Sequence, residues 1–260
     1  WLALTPARWL WAGTTILALA WLVYLVVKES AADTLLQRVF VALVPLSMYA
    51  TGATIGNGRA TAMLFAREGA RVLVVDRNLA SAEETVALIR DAGGVALACE
   101  TDVLSESDIV SMVNRCQSEW GRIDILHNNV GASVAAGDAP ITEITVEAFD
   151  HIVSLNLRSV VLTCKHVLPV MREQGSGVVL SIASTAAWEV YPWVTYKATK
   201  SAMIELTRQI AIQNADFGIR ANTICPGLMN TPMAVDSRVY AWGRGREDVI
   251  AERDAKVPLG

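Results

Sequence analysis

The stretch that decides the fold is TGATIGNG at residues 51–58, in which glycine stands at positions 52, 56 and 58. It lies between a short apolar run at 46–50 and a helical pattern at 59–68. Where a strand turns sharply into a helix, the free N–H groups and positive dipole end of the helix bind anions, and glycines let a pyrophosphate approach the backbone. Many glycine-rich loops serve turning alone, but this one precedes a strand that ends in Asp76, which favours a dinucleotide site.

Strands and helices alternate along the chain after this turn. Apolar, β-branched runs predict strands at 71–76, 95–99, 123–127, 177–183 and 219–224, and helical patterns lie at 105–120, 146–171 and 191–215. Ser81 and Glu84 form a capping box, which predicts one further helix that ends at the glycine pair 93–94. Such alternation predicts an α/β fold, a doubly wound parallel sheet of the Rossmann type in three layers, with 46–260 as one domain.

The composition of the chain excludes several classes of protein. Hydrophobic residues make up 53% of the 260 residues and charged residues 18%, which excludes a disordered chain. The net charge of −4 argues against a surface that binds nucleic acid. Four cysteines and three histidines show no metal-ligand spacing and no CxxC pair, so neither a metal site nor a disulfide scaffold is predicted. Ordinary buried thiols are typical of a cytoplasmic protein.

The N-terminal segment 1–45 is unusually apolar. Residues 9–27 include no charged side chain, and at 1.5 Å per residue they would extend roughly 28 Å, about the thickness of the hydrocarbon core of a bilayer. A single-span membrane anchor at 9–27 is therefore one interpretation. The other is that 1–45 is not native, because the chain begins with Trp1 rather than Met. A cleaved signal peptide is disfavoured, since its apolar run is usually about 7–15 residues long.

Asp76 follows the glycine turn at the distance where a dinucleotide fold binds the adenosine ribose. A carboxylate there accepts hydrogen bonds from both ribose hydroxyls and repels a 2′-phosphate, so we expect NAD rather than NADP. The alternative is an aspartate that only caps the next turn. Arg77 weakens the preference for NAD, because a cation beside Asp76 could contact a 2′-phosphate.

Tyr196 and Lys200 are spaced i, i+4, which places both side chains on one face of a predicted helix. A neighbouring ammonium lowers the pKa of a phenol, and proton transfer to or from an alcohol oxygen requires such a shift. Ser184 follows a strand, at the carboxyl edge where open α/β sheets bind ligands. Taken alone, this tyrosine–lysine pair is typical of a solvated helix surface; combined with the glycine turn it indicates a catalytic site.

Together these features resemble the single-domain branch of the short-chain dehydrogenase/reductase family. The matching pieces occur in the family's order over about residues 50–260: TGATIGNG, Asp76, Thr101-Asp102-Val103, NNVG at 128–131, Asn156, Ser184, Tyr196 with Lys200, and Pro226-Gly227 with Thr231. Eight pieces in order are highly specific.

The resemblance implies a role for each matching residue. Tyr196 would be the general acid/base, Ser184 would orient the substrate oxygen, Lys200 would lower the pKa of Tyr196, and Asn156 would hold a water that relays protons. Tyr196 and Lys200 would also contact the nicotinamide end, together with Pro226, Gly227 and Thr231. The rest of the cofactor would be bound by Gly52, Gly56, Asn57, Gly58, Asp76, Arg77, Asp102, Val103, Asn129, Val130 and Gly131. The alternatives are that Asp102 caps the next helix and that Asn156 only bends its helix.

The sequence also departs from the family pattern. Asn57 stands where an apolar residue is usual, and Val130 replaces the common Ala. After residue 257 the family pattern continues into one more helix and strand, so we expect a C-terminally truncated domain that is less stable and less oligomeric than a full-length relative. For the full-length protein we expect a homo-oligomer, a dimer or a tetramer.

The function expected from these features is an NAD(H)-dependent oxidoreductase that interconverts a secondary alcohol and a ketone. Bulky apolar residues, Trp188, Val190, Tyr191 and Trp193 with Met233, Val239, Tyr240 and Trp242, favour an apolar or cyclic substrate. Reduction of a 3-oxoacyl group and oxidation of a cyclic alcohol or dihydrodiol are both open. The alternative function is a membrane-tethered dinucleotide-binding protein without turnover.

Overall fold

A computed structural model describes residues 39–43 (as backbone), 56–231 and 234–256 of the chain. Its sheet is parallel throughout, with the described strands in the order β3-β2-β1-β4-β5-β6. The strands are β1 Val39–Leu43, β2 Arg71–Asp76, β3 Val95–Glu100, β4 Ile125–Asn128, β5 Gly177–Ile182 and β6 Ile219–Ile224. The helices are α1 Asn57–Arg67, α2 Leu79–Asp91, α3 Glu106–Trp120, α4 Val146–Val153, α5 Ser159–Gln174, α6 Val194–Asn214, α7 Asp236–Trp242 and α8 Arg246–Asp254.

Two hydrophobic cores cover opposite faces of this sheet. Successive side chains of a strand point to opposite faces, and β2 shows this directly. Leu73 and Val75 pack into the core shared with α3, α5 and α6, whereas Val72 and Val74 pack into the core shared with α1 and α2. The three-layer, doubly wound parallel sheet that the sequence predicts is therefore confirmed.

The strand order reverses at β1, which pairs with β2 on one side and β4 on the other. The connections that follow β1 and β4 diverge to opposite faces of the sheet, so a crevice opens between them at the carboxyl edge. Open α/β sheets bind ligands in such a crevice. This topology explains why residues after β2, β4, β5 and β6 meet in one place.

The first strand differs from the sequence-based prediction. The apolar run before the glycine turn was expected at 46–50, but β1 is Val39–Leu43, so the sheet includes residues on the N-terminal side of the boundary at 46. The sequence VFVAL at 39–43 is uniformly apolar and partly β-branched, as a central parallel strand requires, whereas 46–50 includes a serine. The run 46–50 and the candidate span 9–27 lie outside the described residues. None of the helices in the described part of the chain is both long and apolar enough to cross a bilayer.

Two helices also differ from expectation. The N-cap of α2 is Asn78, whose side chain accepts a hydrogen bond from the Ser81 N–H, so the capping box does not form. Glu84 instead binds Arg59 through both carboxylate oxygens. The long helix expected at 146–171 is divided into α4 and α5 by a π-helical turn over Ser154–Arg158, which carries Asn156. A π-turn of this kind often marks a functional site.

Candidate active site

A cleft of about 860 Å³ opens at the carboxyl edge of the sheet. Most of the candidate site residues line it: Gly56, Asn57, Asp76, Arg77, Asp102, Val103, Asn129, Val130, Gly131, Ser184, Tyr196, Lys200, Pro226, Gly227 and Thr231. Gly58 is buried inside α1, and Asn156 is buried behind the cleft wall, so neither belongs to the lining. Gly52 lies outside the described residues.

Tyr196 and Lys200 project from the first two turns of α6 toward the end of β5. The Lys200 Nζ donates a hydrogen bond of 2.6 Å to the carbonyl oxygen of Ile182, the last residue of β5. The same nitrogen lies 5.5 Å from the centroid of the Tyr196 ring. Ser184 is two residues beyond β5, and its side chain hydrogen-bonds Tyr196 and accepts a hydrogen bond from the Ala186 N–H. The three side chains therefore share one end of the cleft.

The pKa of the phenol shifts in the opposite direction to the one expected from the sequence. Burial raises the pKa of Tyr196 to about 12, although the hydrogen bond with Ser184 opposes the rise. Burial also lowers the pKa of Lys200 to about 8. The ammonium lies over the ring and bonds a backbone carbonyl, so it is aimed at Ile182 rather than at the phenol oxygen. Desolvation is the largest cause of both shifts.

Asn156 joins the loop after β4 to α6 from a fully buried position. Its Oδ1 accepts a hydrogen bond of 2.8 Å from the Ala132 N–H. Its Nδ2 donates to the Ala132 carbonyl oxygen at 2.9 Å and to the Thr199 Oγ1 at 3.1 Å. The side chain thus fixes the loop against the helix that carries Tyr196 and Lys200. The proton relay through a water on Asn156 stays a prediction.

The residues at the other end of the cleft fit the adenosine half of a dinucleotide. The Asp76 carboxylate is buried at the end of β2; its Oδ1 accepts a hydrogen bond of 2.9 Å from the Asn78 N–H. The Asp76 Oδ2 and the Asn129 Nδ2 are buried and have no hydrogen-bond partner within the part of the chain that the structure describes. Buried polar atoms are nearly always bonded, so an unpartnered acceptor and donor in one cleft indicate a polar ligand.

Backbone groups near the start of α1 and after β4 also suit the binding of a dinucleotide. Gly56 is the N-cap of α1 and has no capping side chain, so the first N–H groups of this helix are left for an anion. A Cβ added at Gly131 would come within 3.3 Å of the Lys200 Nζ and 3.2 Å of the Asn156 Oδ1, so a side chain there would require these two groups to shift by a few tenths of an ångström. The Asn57 amide lies 3.5 Å from the Met229 Sδ, which brings the start of α1 against the segment after β6.

Asp102 has a local role that the sequence only partly predicts. Its Oδ1 accepts a hydrogen bond of 2.9 Å from the Leu104 N–H, but the N-cap of α3 is Ser105 rather than Asp102. Val103 is buried in the core and still reaches the cleft wall. Pro226 accepts a hydrogen bond of 3.1 Å from the Thr185 N–H, which ties the segment after β6 to the loop that carries Ser184.

Sequence reasoning missed two charged residues of the cleft region. Asp138 is buried, and its carboxylate accepts hydrogen bonds from the Thr195 N–H at 3.0 Å and the Tyr196 N–H at 2.9 Å, so it caps α6 from 57 residues away. Arg238, on α7, lines the cleft beside the aromatic residues Trp193 and Trp242. No local pattern announces either residue, because both contacts depend on segments that are distant in sequence.

A family model described as "short chain dehydrogenase" matches residues 47–240 of this chain. The chain belongs to the short-chain dehydrogenase family. It is 36% identical over 185 residues to the 2-(R)-hydroxypropyl-CoM dehydrogenase of Xanthobacter autotrophicus, covering 70% of this chain and 74% of that protein. It is 34% identical over 211 residues to the cis-4-hydroxycyclohexanecarboxylate dehydrogenase of Sinomonas cyclohexanicum, covering 81% of this chain and 80% of that protein.

Among solved structures, this short-chain dehydrogenase is similar to an actinorhodin polyketide ketoreductase crystallised with NADPH. The TM-score is 0.76 at 30% identity, over 88% of this chain and 85% of that one. Membership of the family and these relatives establish that the protein is an oxidoreductase of alcohols and ketones that uses a nicotinamide dinucleotide. The family resemblance stated from the sequence is thereby confirmed.

Proposed function

We propose that this short-chain dehydrogenase interconverts a secondary alcohol and a ketone with NAD(H), and that Tyr196 is its general acid/base. The observation that carries the proposal is that Tyr196, Ser184 and Lys200 meet in the same cleft as a carboxylate oxygen of Asp76 that has no hydrogen-bond partner among the described residues. One end of the cleft can transfer a proton at the substrate oxygen, and the other can hold the adenosine ribose.

The side chains divide the chemistry between them. When bound, the nicotinamide ring supplies a hydride donor for the ketone or a hydride acceptor for the alcohol. The hydroxyls of Ser184 and Tyr196 hold the substrate oxygen. Because the pKa of Tyr196 is raised to about 12, its phenol is protonated at neutral pH and donates that proton to the carbonyl oxygen during reduction. The Lys200 ammonium, 5.5 Å from the ring, stabilises the phenolate that is left.

The preference for NAD over NADP rests on Asp76. One oxygen of its buried carboxylate has no partner within 56–231 and 234–256; it would accept hydrogen bonds from the ribose hydroxyls, and the carboxylate would repel a 2′-phosphate. Arg77 is exposed at the same edge of the cleft, where it would moderate that repulsion. Gly56, Asn129 and Gly131 would contact the remainder of the cofactor.

A cyclic or aromatic-derived substrate suits the aromatic residues beside Tyr196. The Tyr191 ring lies 5.5 Å from the Tyr196 ring and 5.2 Å from the Trp193 ring, and Trp193 stacks on Trp242 at 6.0 Å. Tyr191, Trp193 and Trp242 all line the cleft. The relative named for a hydroxycyclohexanecarboxylate supports a six-membered ring alcohol.

The test is the turnover of Tyr196→Phe with NADH and a panel of cyclic ketones, followed by nicotinamide absorbance. Loss of the proton donor should lower kcat by about 10²–10⁴-fold. Tyr240→Phe is the matched control, because Tyr240 is exposed on α7 and does not line the cleft. Tyr196→Phe turnover within tenfold of wild type would refute the proposed role.

A further inference from the structure

Arg238 places a positive charge inside the substrate end of the cleft. Its guanidinium carbon lies 5.0 Å from the centroid of Trp193 and 5.8 Å from that of Trp242, and its Nη1 donates a hydrogen bond of 2.6 Å to the Ala234 carbonyl oxygen. Within the described residues Arg238 forms no ion pair with an acidic side chain. The half-buried guanidinium, which lies against aromatic rings and also hydrogen-bonds Tyr191, therefore has its charge balanced by no acidic partner among the described residues.

Arg253 adds a second guanidinium to the same wall. It lines the cleft from α8, and its Nη2 donates a hydrogen bond of 3.2 Å to the Met229 carbonyl oxygen. Burial lowers the pKa of Arg253, and the charge of Arg238 lowers it further. Like charges gathered in a cleft usually bind a ligand of opposite charge.

Two acidic side chains at the rim of the cleft are bound to cations other than Arg238. Asp236 pairs with Arg246 at 2.9 Å. Glu252 pairs with Lys256 at 3.0 Å and also with Arg244. The charges of Asp254 and Glu252 oppose the lowering of the pKa of Arg253, so Arg253 is partly compensated, whereas Arg238 has no acidic partner among the described residues.

The charged wall lies within range of the proposed catalytic tyrosine. The Tyr191 ring contacts the rings of both Tyr196 and Trp193. The Arg238 guanidinium in turn packs over the Trp193 ring. Arg238 and Tyr196 line the same cleft, and the charge of Arg238 slightly opposes the rise in the pKa of Tyr196.

We infer that the substrate carries an oxyanion, a carboxylate or a sulfonate, which Arg238 binds with help from Arg253 while the reacting carbon lies at Tyr196. This inference rests on the proposed function for the position of the reacting carbon, but not for the binding of the anion. It adds a charged recognition group to the apolar or cyclic substrate expected from the sequence.

The kinetic test compares two substrates of matched shape and different charge, 4-hydroxycyclohexanecarboxylate and 4-hydroxycyclohexanecarboxamide. Wild type should prefer the carboxylate by about 30-fold in kcat/KM, and Arg238→Met should remove about 30-fold from the carboxylate value while changing the amide value less than threefold. Arg238→Lys keeps the charge, so its kcat/KM for the carboxylate should lie between the values of wild type and Arg238→Met. Arg208→Met is the matched control, because Arg208 is exposed on α6 and pairs with Glu205. An equal loss for both substrates would show a purely structural role and overturn the inference.

A binding measurement separates this inference from the proposed function. Isothermal titration of NADH-saturated protein would compare cyclohexanecarboxylate, cyclohexanesulfonate and cyclohexanecarboxamide. At least one anion should bind about tenfold or more tightly than the amide, and Arg238→Met should abolish the difference. Equal binding of all three overturns the inference even if Tyr196→Phe is inactive; anion preference without turnover supports the inference and refutes the proposed function.

Discussion

Asp76 is the residue at which ligand binding and protonation are most closely linked. It is buried at the end of β2, and burial raises the pKa of its carboxyl to about 6, even though the Asn78 N–H and the charge of Arg77 oppose the rise. The carboxylate is therefore poorly solvated near neutral pH, and hydroxyl donors from a ribose would replace the missing water. In the proposed function, Asp76 therefore combines a stability cost with the binding of the ribose.

We predict that the affinity for NADH falls as the pH is lowered from 7 to 5, because protonation of Asp76 removes an acceptor for the ribose hydroxyls. The discrimination against NADPH should shrink over the same range, since a neutral carboxyl no longer repels a 2′-phosphate. Fluorescence titration of both dinucleotides at each pH measures the effect. Asp76→Asn should lose this pH dependence, whereas Asp91→Asn, at the exposed end of α2, should keep it. Unchanged NADH affinity across the range in wild type would contradict the assignment.

At the scale of the element, the start of helix α6 is held by a side chain from another segment of the chain. Its N-cap residue, Trp193, makes no side-chain capping bond, and the first-turn N–H groups of Thr195 and Tyr196 are bound instead by the buried Asp138 carboxylate. A carboxylate at a helix N-terminus also interacts favourably with the helix dipole. Asp138 is therefore a positioning residue for the proposed catalytic tyrosine.

Asp138→Ala should lower the free energy of unfolding by about 1–2 kcal/mol and lower kcat more than it raises KM, because the first turn of α6 loses its cap. Asp138→Asn keeps one acceptor oxygen and should recover part of kcat. Asp216→Ala, at an exposed site in the turn after α6, should change neither quantity. Urea unfolding and steady-state kinetics of the same preparations measure both. A loss of stability with unchanged kcat would leave Asp138 a structural role only.

At the scale of the whole molecule, a buried histidine in the central sheet couples stability to pH. His127 lies in β4 in register with Ala42 of β1 and Leu180 of β5. Burial lowers its pKa to about 4 from an ordinary value of 6.5. Between these values the unfolded chain binds a proton that the folded chain does not, so stability falls as the pH drops from about 6.5 to about 4. The raised pKa of Asp76 acts in the opposite direction, stabilising the fold as the pH falls from about 6 toward 3.8.

We predict that wild type loses roughly 2–3 kcal/mol more stability than His127→Gln between pH 7 and pH 4, because only wild type has to keep this imidazole neutral. Asp76 is present in both proteins, so its contribution cancels in the comparison. Urea unfolding at several pH values gives the difference. His151→Gln, which removes an exposed histidine, should follow the wild-type curve. Parallel curves for wild type and His127→Gln would show that the histidine is not the source of acid lability.

Comparison of sequence and structure shows which features each could supply. The sequence was sufficient to predict the main site residues, because each belongs to a local pattern with its own chemistry: the glycine turn, Asp76, Ser184 and the Tyr196–Lys200 pair. The position of β1 was not predicted, because the strand before the turn was expected in the apolar run at 46–50, whereas pairing with β2 and β4 places β1 at 39–43. The capping of α2 by Asn78 rather than Ser81 is a similar local ambiguity.

The sequence by itself determined the parallel α/β class, the family and most of the residues that line the cleft, since hydrophobic periodicity and short motifs depend on neighbours along the chain. Only the tertiary structure decided that Asp138 caps α6, that Arg238 lines the cleft, and that the pKa of Tyr196 is raised rather than lowered. These outcomes depend on desolvation and on contacts between distant segments. Neither the desolvation of these side chains nor the contacts between distant segments exist until the chain is folded.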